Sequence, residues 1–235
     1  MDIKGCLLMI KRLVLLFVGL LLFSGCEKQN IDDLNTTPTG QLALLILSPG
    51  SPELSLYFSG QKAANKPLTF GTIIPYNAVV ANKYELSFSK KDSSSVFAKI
   101  NGEIKAGKYY TLIVGDKSPR ASLALIEDDL SAPAPEKARI RFANLSPDSI
   151  ALDLYIAGKI QTPISKQSFR SVSTFVNVEP GSALKIEIKA HGKTETLAVL
   201  DNAVIEKGKI YTIWSKGVRG VADFTRFGID MMLNK

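Results

Sequence analysis

The chain has 235 residues, 46% apolar and 22% charged, with 29 Lys and Arg against 22 Asp and Glu. That is globular composition, and it excludes whole-chain disorder, collagen and low complexity. Two cysteines and one histidine are too few for a disulfide framework or a histidine–cysteine metal site, so no metal or other cofactor is expected.

Lys11 and Arg12 precede an apolar run from Leu13 to Phe23. The run is short of the roughly 20 residues that span a membrane, and its charged front and small-residue end fit a secretory signal. Phe23, Ser24, Gly25 and Cys26 resemble the lipobox of bacterial lipoproteins, with Phe23 where leucine is usual. The resemblance implies a signal peptide over 1–25, a diacylated Cys26 thiol and attachment to the membrane through an N-terminal lipid. It implies an outer-membrane protein facing the periplasm or the surface. Met9 offers an alternative start that brings the basic residues to the front of the leader. Cleavage before Cys26 leaves 26 basic and 21 acidic residues and one cysteine, which is the anchor. Neither an internal disulfide nor thiol catalysis is then available.

Residues 26–40 are polar and rich in turn formers, which suits a flexible tether. Beyond them the chain repeats itself. Leu47-Ser48-Pro49 answers Leu145-Ser146-Pro147, and Leu54, Leu56, Tyr57 and Gly60 answer Leu152, Leu154, Tyr155 and Gly158. Gly107, Lys108, Tyr110 and Thr111 answer Gly208, Lys209, Tyr211 and Thr212. Within each repeat the period is two: Tyr84, Leu86 and Phe88 alternate with polar residues, as do Leu152, Leu154 and Ile156, and Leu184, Ile186 and Ile188. Such alternation makes half-buried strands, and turn clusters separate the runs. The expectation is an all-β chain of two tandem immunoglobulin-like sandwiches, 41–133 and 136–235, with about seven strands each. Fragment 136–235 is expected to close its own core.

The segments RIRFANLSPDSIALDLYIAGK and EKGKIYTIWSKG resemble the bacterial domain-of-unknown-function 4397 family. The matching residues are Arg141, Asn144, Ser146, Pro147, Asp148, Asp153, Tyr155, Gly208, Lys209, Tyr211 and Thr212. The first repeat matches less well, with Gly50 in place of the aspartate and Leu44 in place of the arginine. The resemblance implies an Ig-like sandwich on a secreted or lipid-anchored envelope protein, and no established activity.

Catalytic motifs are missing: there is no Gly-x-Ser-x-Gly, no His-Glu-x-x-His and no phosphate-binding glycine loop. His191 reads as a turn residue, and Asp128-Asp129 as a solvated strand end beside the linker SAPAPE. Lys137, Arg139 and Arg141 share one strand face by their spacing. They read either as a basic surface for anionic glycan or lipid headgroups or as a charge-protected edge strand. Trp214 reads as core, with sugar stacking as the alternative. No stacking aromatics interleave with the charges, so nucleic acid is not an expected partner. The expected function is a non-catalytic, lipid-anchored envelope protein that presents two modules for binding or spacing, its partner a glycan or an envelope protein. The alternatives are an accessory subunit of an outer-membrane transport or assembly complex and, behind it, a hydrolase.

Overall fold

Alternating sequence becomes sixteen strands in the computed structural model, which describes residues 37–63, 66–157 and 164–235. Phe23, Ser24, Gly25, Cys26, most of the tether and Gly158 lie outside the described residues. The first eight strands are β1 (Thr39–Ile46), β2 (Leu54–Phe58), β3 (Gln61–Lys62), β4 (Ile73–Val80), β5 (Asn82–Lys90), β6 (Val96–Ile104), β7 (Tyr109–Gly115) and β8 (Ser122–Glu127). The second eight are β9 (Ala138–Asn144), β10 (Leu152–Ile156), β11 (Ile164–Gln167), β12 (Val176–Val178), β13 (Gly181–Ala190), β14 (Thr196–Ile205), β15 (Ile210–Lys216) and β16 (Gly228–Leu233).

The strands form two β-sandwiches of identical order. Sheet β4-β1-β7-β8 faces β3-β2-β5-β6, and sheet β12-β9-β15-β16 faces β11-β10-β13-β14. In each sandwich the first and seventh strands run parallel, β1 with β7 and β9 with β15. Each sandwich therefore has eight strands rather than about seven; the additional pairings include the two-residue β3 and the three-residue β12, too short to show a period.

Each sandwich buries its own core. Leu54, Leu86, Phe88 and Leu112 centre the first, and Ile140, Phe142, Leu154, Ile186 and Ile213 the second. A third apolar cluster joins them. It contains Leu45, Leu47 and Ile113 of the first sandwich with Ala143, Leu145 and Trp214 of the second. Sheets β4-β1-β7-β8 and β12-β9-β15-β16 thus pack back to back, giving four sheet layers with three buried seams, and residues Thr37–Lys235 form one compact unit. A strand buried on both faces carries apolar residues without alternation. That is why β1 and β15 read LALLI and IYTIW while β5 and β13 alternate.

The middle seam is self-matching. By strand register, Leu45 corresponds to Ala143, Ile113 to Trp214, Ile73 to Val172 and Ile126 to Met232. All of these belong to the seam cluster or pack against it. Leu45 lies beside Ile113, whereas Ala143 lies beside Trp214. One sandwich pairs two middle-sized side chains; the other pairs a small one with the largest. Swaps that conserve total volume keep a tight interface tight.

Trp214 is fully buried in this middle seam, not in the second sandwich's own core. Its indole N–H has no acceptor among the described residues, so the ring acts through area and packing. The seam also changes the expectation for fragment 136–235, because the outer face of β9 and β15 is covered by the first sandwich. Trp214→Ala is expected to lower stability by about 3–5 kcal/mol, with a markedly smaller loss for Trp214→Phe. Urea unfolding of the purified chain measures both; equal, negligible losses would mean the seam does not hold the sandwiches together.

Candidate functional site

Lys137, Arg139 and Arg141 come from the start of the second sandwich, the last two on β9. β9 is not an edge strand; it lies between β12 and β15. Its residues 139, 141 and 143 point into the middle seam, which turns the expected surface into an interior. Lys137 remains partly exposed and pairs with Glu179. Arg139 keeps 12% of its side chain exposed and pairs with Asp129 at 2.8 Å while donating to Ser131 O at 2.8 Å. These contacts tie the linker to β9. The Arg139 hydrogen bond, helped by Ser131, holds the Asp129 carboxyl well below the usual range.

Arg141 is 3% exposed and Asp128 6%, so Asp128 is not a solvated strand end. Arg141 Nη1 lies 2.6 Å from Asp128 Oδ1. Its Nε donates to Thr212 Oγ1 at 2.8 Å and its Nη2 to Thr111 Oγ1 at 3.2 Å. Thr111 and Tyr76 each donate to Asp128 Oδ2 at 2.6 Å, and Asn234 closes the ring by donating to Tyr76 at 3.0 Å and accepting from Thr212 at 2.7 Å. The Arg141 guanidinium also lies 4.7 Å from the Phe175 ring centre. A buried ion pair is tolerable only when its remaining polar atoms are satisfied. Asp128 Oδ2 accepts two hydrogen bonds, while Oδ1 has the close guanidinium as its counter-charge but no hydrogen bond of good geometry among the described residues. Burial first, then the charge of Asp128, pushes the Tyr76 phenol well above its ordinary value. The higher value belongs to the folded state. The stability Tyr76 lends is therefore complete below the ordinary phenol pKa of about 10 and declines as pH rises beyond it.

This network has a symmetry. Thr111 corresponds to Thr212, Asp128 to Asn234, Tyr76 to Phe175 and Ala43 to Arg141, so the arginine position of the first sandwich is Ala43 and not Leu44, whose side chain faces the core. The position related to the Arg141–Asp128 pair therefore holds Ala43 and Asn234, and the seam carries one buried ion pair instead of two. One pair distinguishes the partner sandwich from a second copy of the same sandwich, because mismatched pairing buries a charge alone.

In the motif Arg141-x-x-Asn144-x-Ser146-Pro147-Asp148, Asn144 and Ser146 are buried like Arg141, while Pro147 is half-buried and Asp148 exposed. Asn144 accepts from Ser149 Oγ at 2.7 Å and Ser215 Oγ at 2.8 Å, and donates to Gln167 O at 2.9 Å. Ser146 Oγ donates to Gly217 O at 2.7 Å, and Asp148 accepts the Arg219 N–H at 2.9 Å. The motif staples the loop after β9 to the loop after β15. In the first sandwich Ile46 and Gly50 stand at the Asn144 and Asp148 positions, and Ser48 Oγ is buried with no partner among the described residues. His191 does open a turn, with Nδ1 3.0 Å from Asp153 Oδ1.

The loop held by this motif breaks the likeness of the sandwiches. Residues 217–227 link β15 to β16, whereas 116–121 make the corresponding link in the first sandwich. The longer loop is internally bonded: Val218 N donates to Thr225 O and Phe227 N to Val218 O, both at 2.8 Å. Asp223 accepts from Thr225 N at 2.8 Å and Thr225 Oγ1 at 2.6 Å. Gly217 has φ +74°, and a Cβ there would meet Arg226 O at 2.2 Å. The loop exposes Phe224 at 81%, the largest value among the exposed large apolar residues described, and covers a groove of about 650 Å³ floored by Leu197, Phe227 and Ile229. No sequence signal singled out this loop; the difference in length between the two β-connections is what identifies it.

The family model described as a domain of unknown function (DUF4397) matches residues 40–155. That stretch holds the first sandwich apart from Thr39, and β9 with most of β10 of the second, in one match. It includes Arg141 through Asp148 but not Gly208, Lys209, Tyr211 and Thr212. The match thus falls mainly on the repeat whose motifs are the weaker. No curated protein matches the chain.

Arg141→Ala leaves Asp128 buried without its counter-charge and is expected to cost about 3–5 kcal/mol. Adding Asp128→Asn recreates the Ala43–Asn234 combination and is expected to recover most of that loss. Denaturant midpoints of the two variants test this; a double variant no more stable than the single would show that the charges are not coupled.

Proposed function

We propose that the chain is a non-catalytic, lipid-anchored protein of the cell envelope, built from two copies of the family module. The lipobox-like Phe23-Ser24-Gly25-Cys26 supports the anchor, and the tether that follows leads into β1. The observation that carries the reading is the polarity of the fold. The chain enters at the N-terminal end of β1, as do the linker and the C-terminus, since Gln41 N bonds Lys108 O and Asn234 N bonds Ile210 O. The loops after β1, β7, β9 and β15 gather at the other end, about 25 Å away along the eight residues of β1. Across the seam that end is joined by Arg170 with Asp116 and by Phe70 with Phe224. A pair of sandwiches locked together in this way presents loops on a stiff body, and loops on rigid sheets are where binding is placed.

The partner is then an envelope component met at the loop end. If that partner is an outer-membrane transporter or assembly protein, the chain is its accessory subunit. Benzoylphenylalanine in place of Phe224, and separately of Lys207 at the tether end, tests the reading in intact cells. The expected outcome is a discrete crosslinked partner from position 224 alone, together with palmitate labelling that Cys26→Ala abolishes. Equal adducts from both positions, no adduct from either, or labelling that survives Cys26→Ala would contradict it.

A further inference from the structure

The loop 217–227 has a surface chemistry that its role in the fold does not require. Phe224 and Val221 are exposed at 81% and 40%. Arg219 and Arg226 are exposed, and neither has a carboxylate partner among the described residues. Arg139, Arg141 and Arg170 each hold an aspartate, whereas Arg120, in the shorter loop of the first sandwich, is exposed and has no carboxylate partner among the described residues either. The acids of the loop region are already engaged. Asp148 and Asp223 accept backbone N–H groups of the loop, and Asp230 pairs with Lys216 at 2.9 Å. Glu195 has no such contact; it lines the continuation of the groove together with Arg219 and Arg226 without forming an ion pair with either, and it does not line the part beside Phe224.

The groove runs beside β14, the edge strand of its sheet. An edge strand offers an extended backbone a row of N–H and C=O partners. Leu197 and Phe227 line both this groove and its continuation under Arg219, so an extended segment meets apolar floor along its length and guanidinium groups at its rim. The loop is preformed by its own hydrogen bonds, which removes much of the ordering cost of binding.

We propose that the β14 edge and the 217–227 loop form a docking site for an extended acidic polypeptide segment, in which aliphatic side chains alternate with Asp or Glu. The alternation follows from the strand period: one face of the segment meets Leu197, Phe227 and Phe224, while the intervening carboxylates meet Arg219 and Arg226. This deepens the reading of the chain as a presenter of binding loops by naming the surface and its ligand class. It concerns binding by the purified protein, so it stands or falls separately from the identity of any partner in cells.

The test uses the full chain in detergent and fluorescent peptides of about ten residues, a length that covers one strand edge. One peptide alternates Val and Leu with Glu and Asp; the other replaces the acids with Lys. Monomeric dihexanoyl phosphatidylglycerol is the third probe. The acidic peptide is expected to bind, to weaken as salt is raised, and to lose about tenfold in affinity in Phe224→Ser and in the Arg219→Ala/Arg226→Ala double variant. The arginine double variant is a surface change and is expected to keep the parent unfolding midpoint; Phe224→Ser also gives up the Phe70 contact, so its affinity is read under conditions where its own unfolding midpoint shows it folded. Equal binding of the lysine peptide, insensitivity to both variants, or no peptide binding at millimolar concentration would overturn the proposal. So would binding of the phospholipid alone with the same dependence on Arg219 and Arg226.

Discussion

Back-to-back packing of the β1/β7 and β9/β15 sheets determines how every other part of this chain is used. It takes the outer faces of two sandwiches, each with a complete core of its own, and removes them from water. Leu45, Ile113 and Trp214 supply the apolar half of that contact, and Arg141 with Asp128 the polar half. The apolar half gives area without direction. The polar half supplies register, because a carboxylate and a guanidinium that are both buried must meet or leave two uncompensated charges.

The residues that carry the family resemblance follow from the same constraint. Arg141 belongs to the seam, and Asn144, Ser146 and Asp148 hold the turn that leads out of it. They are concerned with building the loop end, not with chemistry at it. Where the first sandwich keeps only the serine of this set, as Ser48, its loop after β7 is short; where the second has all four, Asp148 supports a longer loop that exposes Phe224. Binding surface and structural motif are therefore adjacent but made of different residues.

Much of the fold was legible in sequence, for a physical reason. Strands with one wet face alternate, and Tyr84-Leu86-Phe88 and Leu184-Ile186-Ile188 show their inner faces directly. The seam was legible only in a weaker form. LALLI and IYTIW break the alternation, and that break is the mark of a strand covered on both sides, yet it does not say by what. Arg141 misleads for the opposite reason. At period two with Lys137 and Arg139 it reads as a basic surface, and only the arrival of Asp128 from the other sandwich makes its burial possible. The groove beside β14 left no motif at all, since it depends on the lengths of two loops and on which arginines find partners in space.

The buried seam holds the two sandwiches as one cooperative unit. Scanning calorimetry of the purified chain addresses this most directly. A single transition whose calorimetric and van't Hoff enthalpies agree is the predicted result. Two separable transitions, each with the enthalpy of about 100 residues, would contradict it and would return the sandwiches to the status of independent beads on a tether.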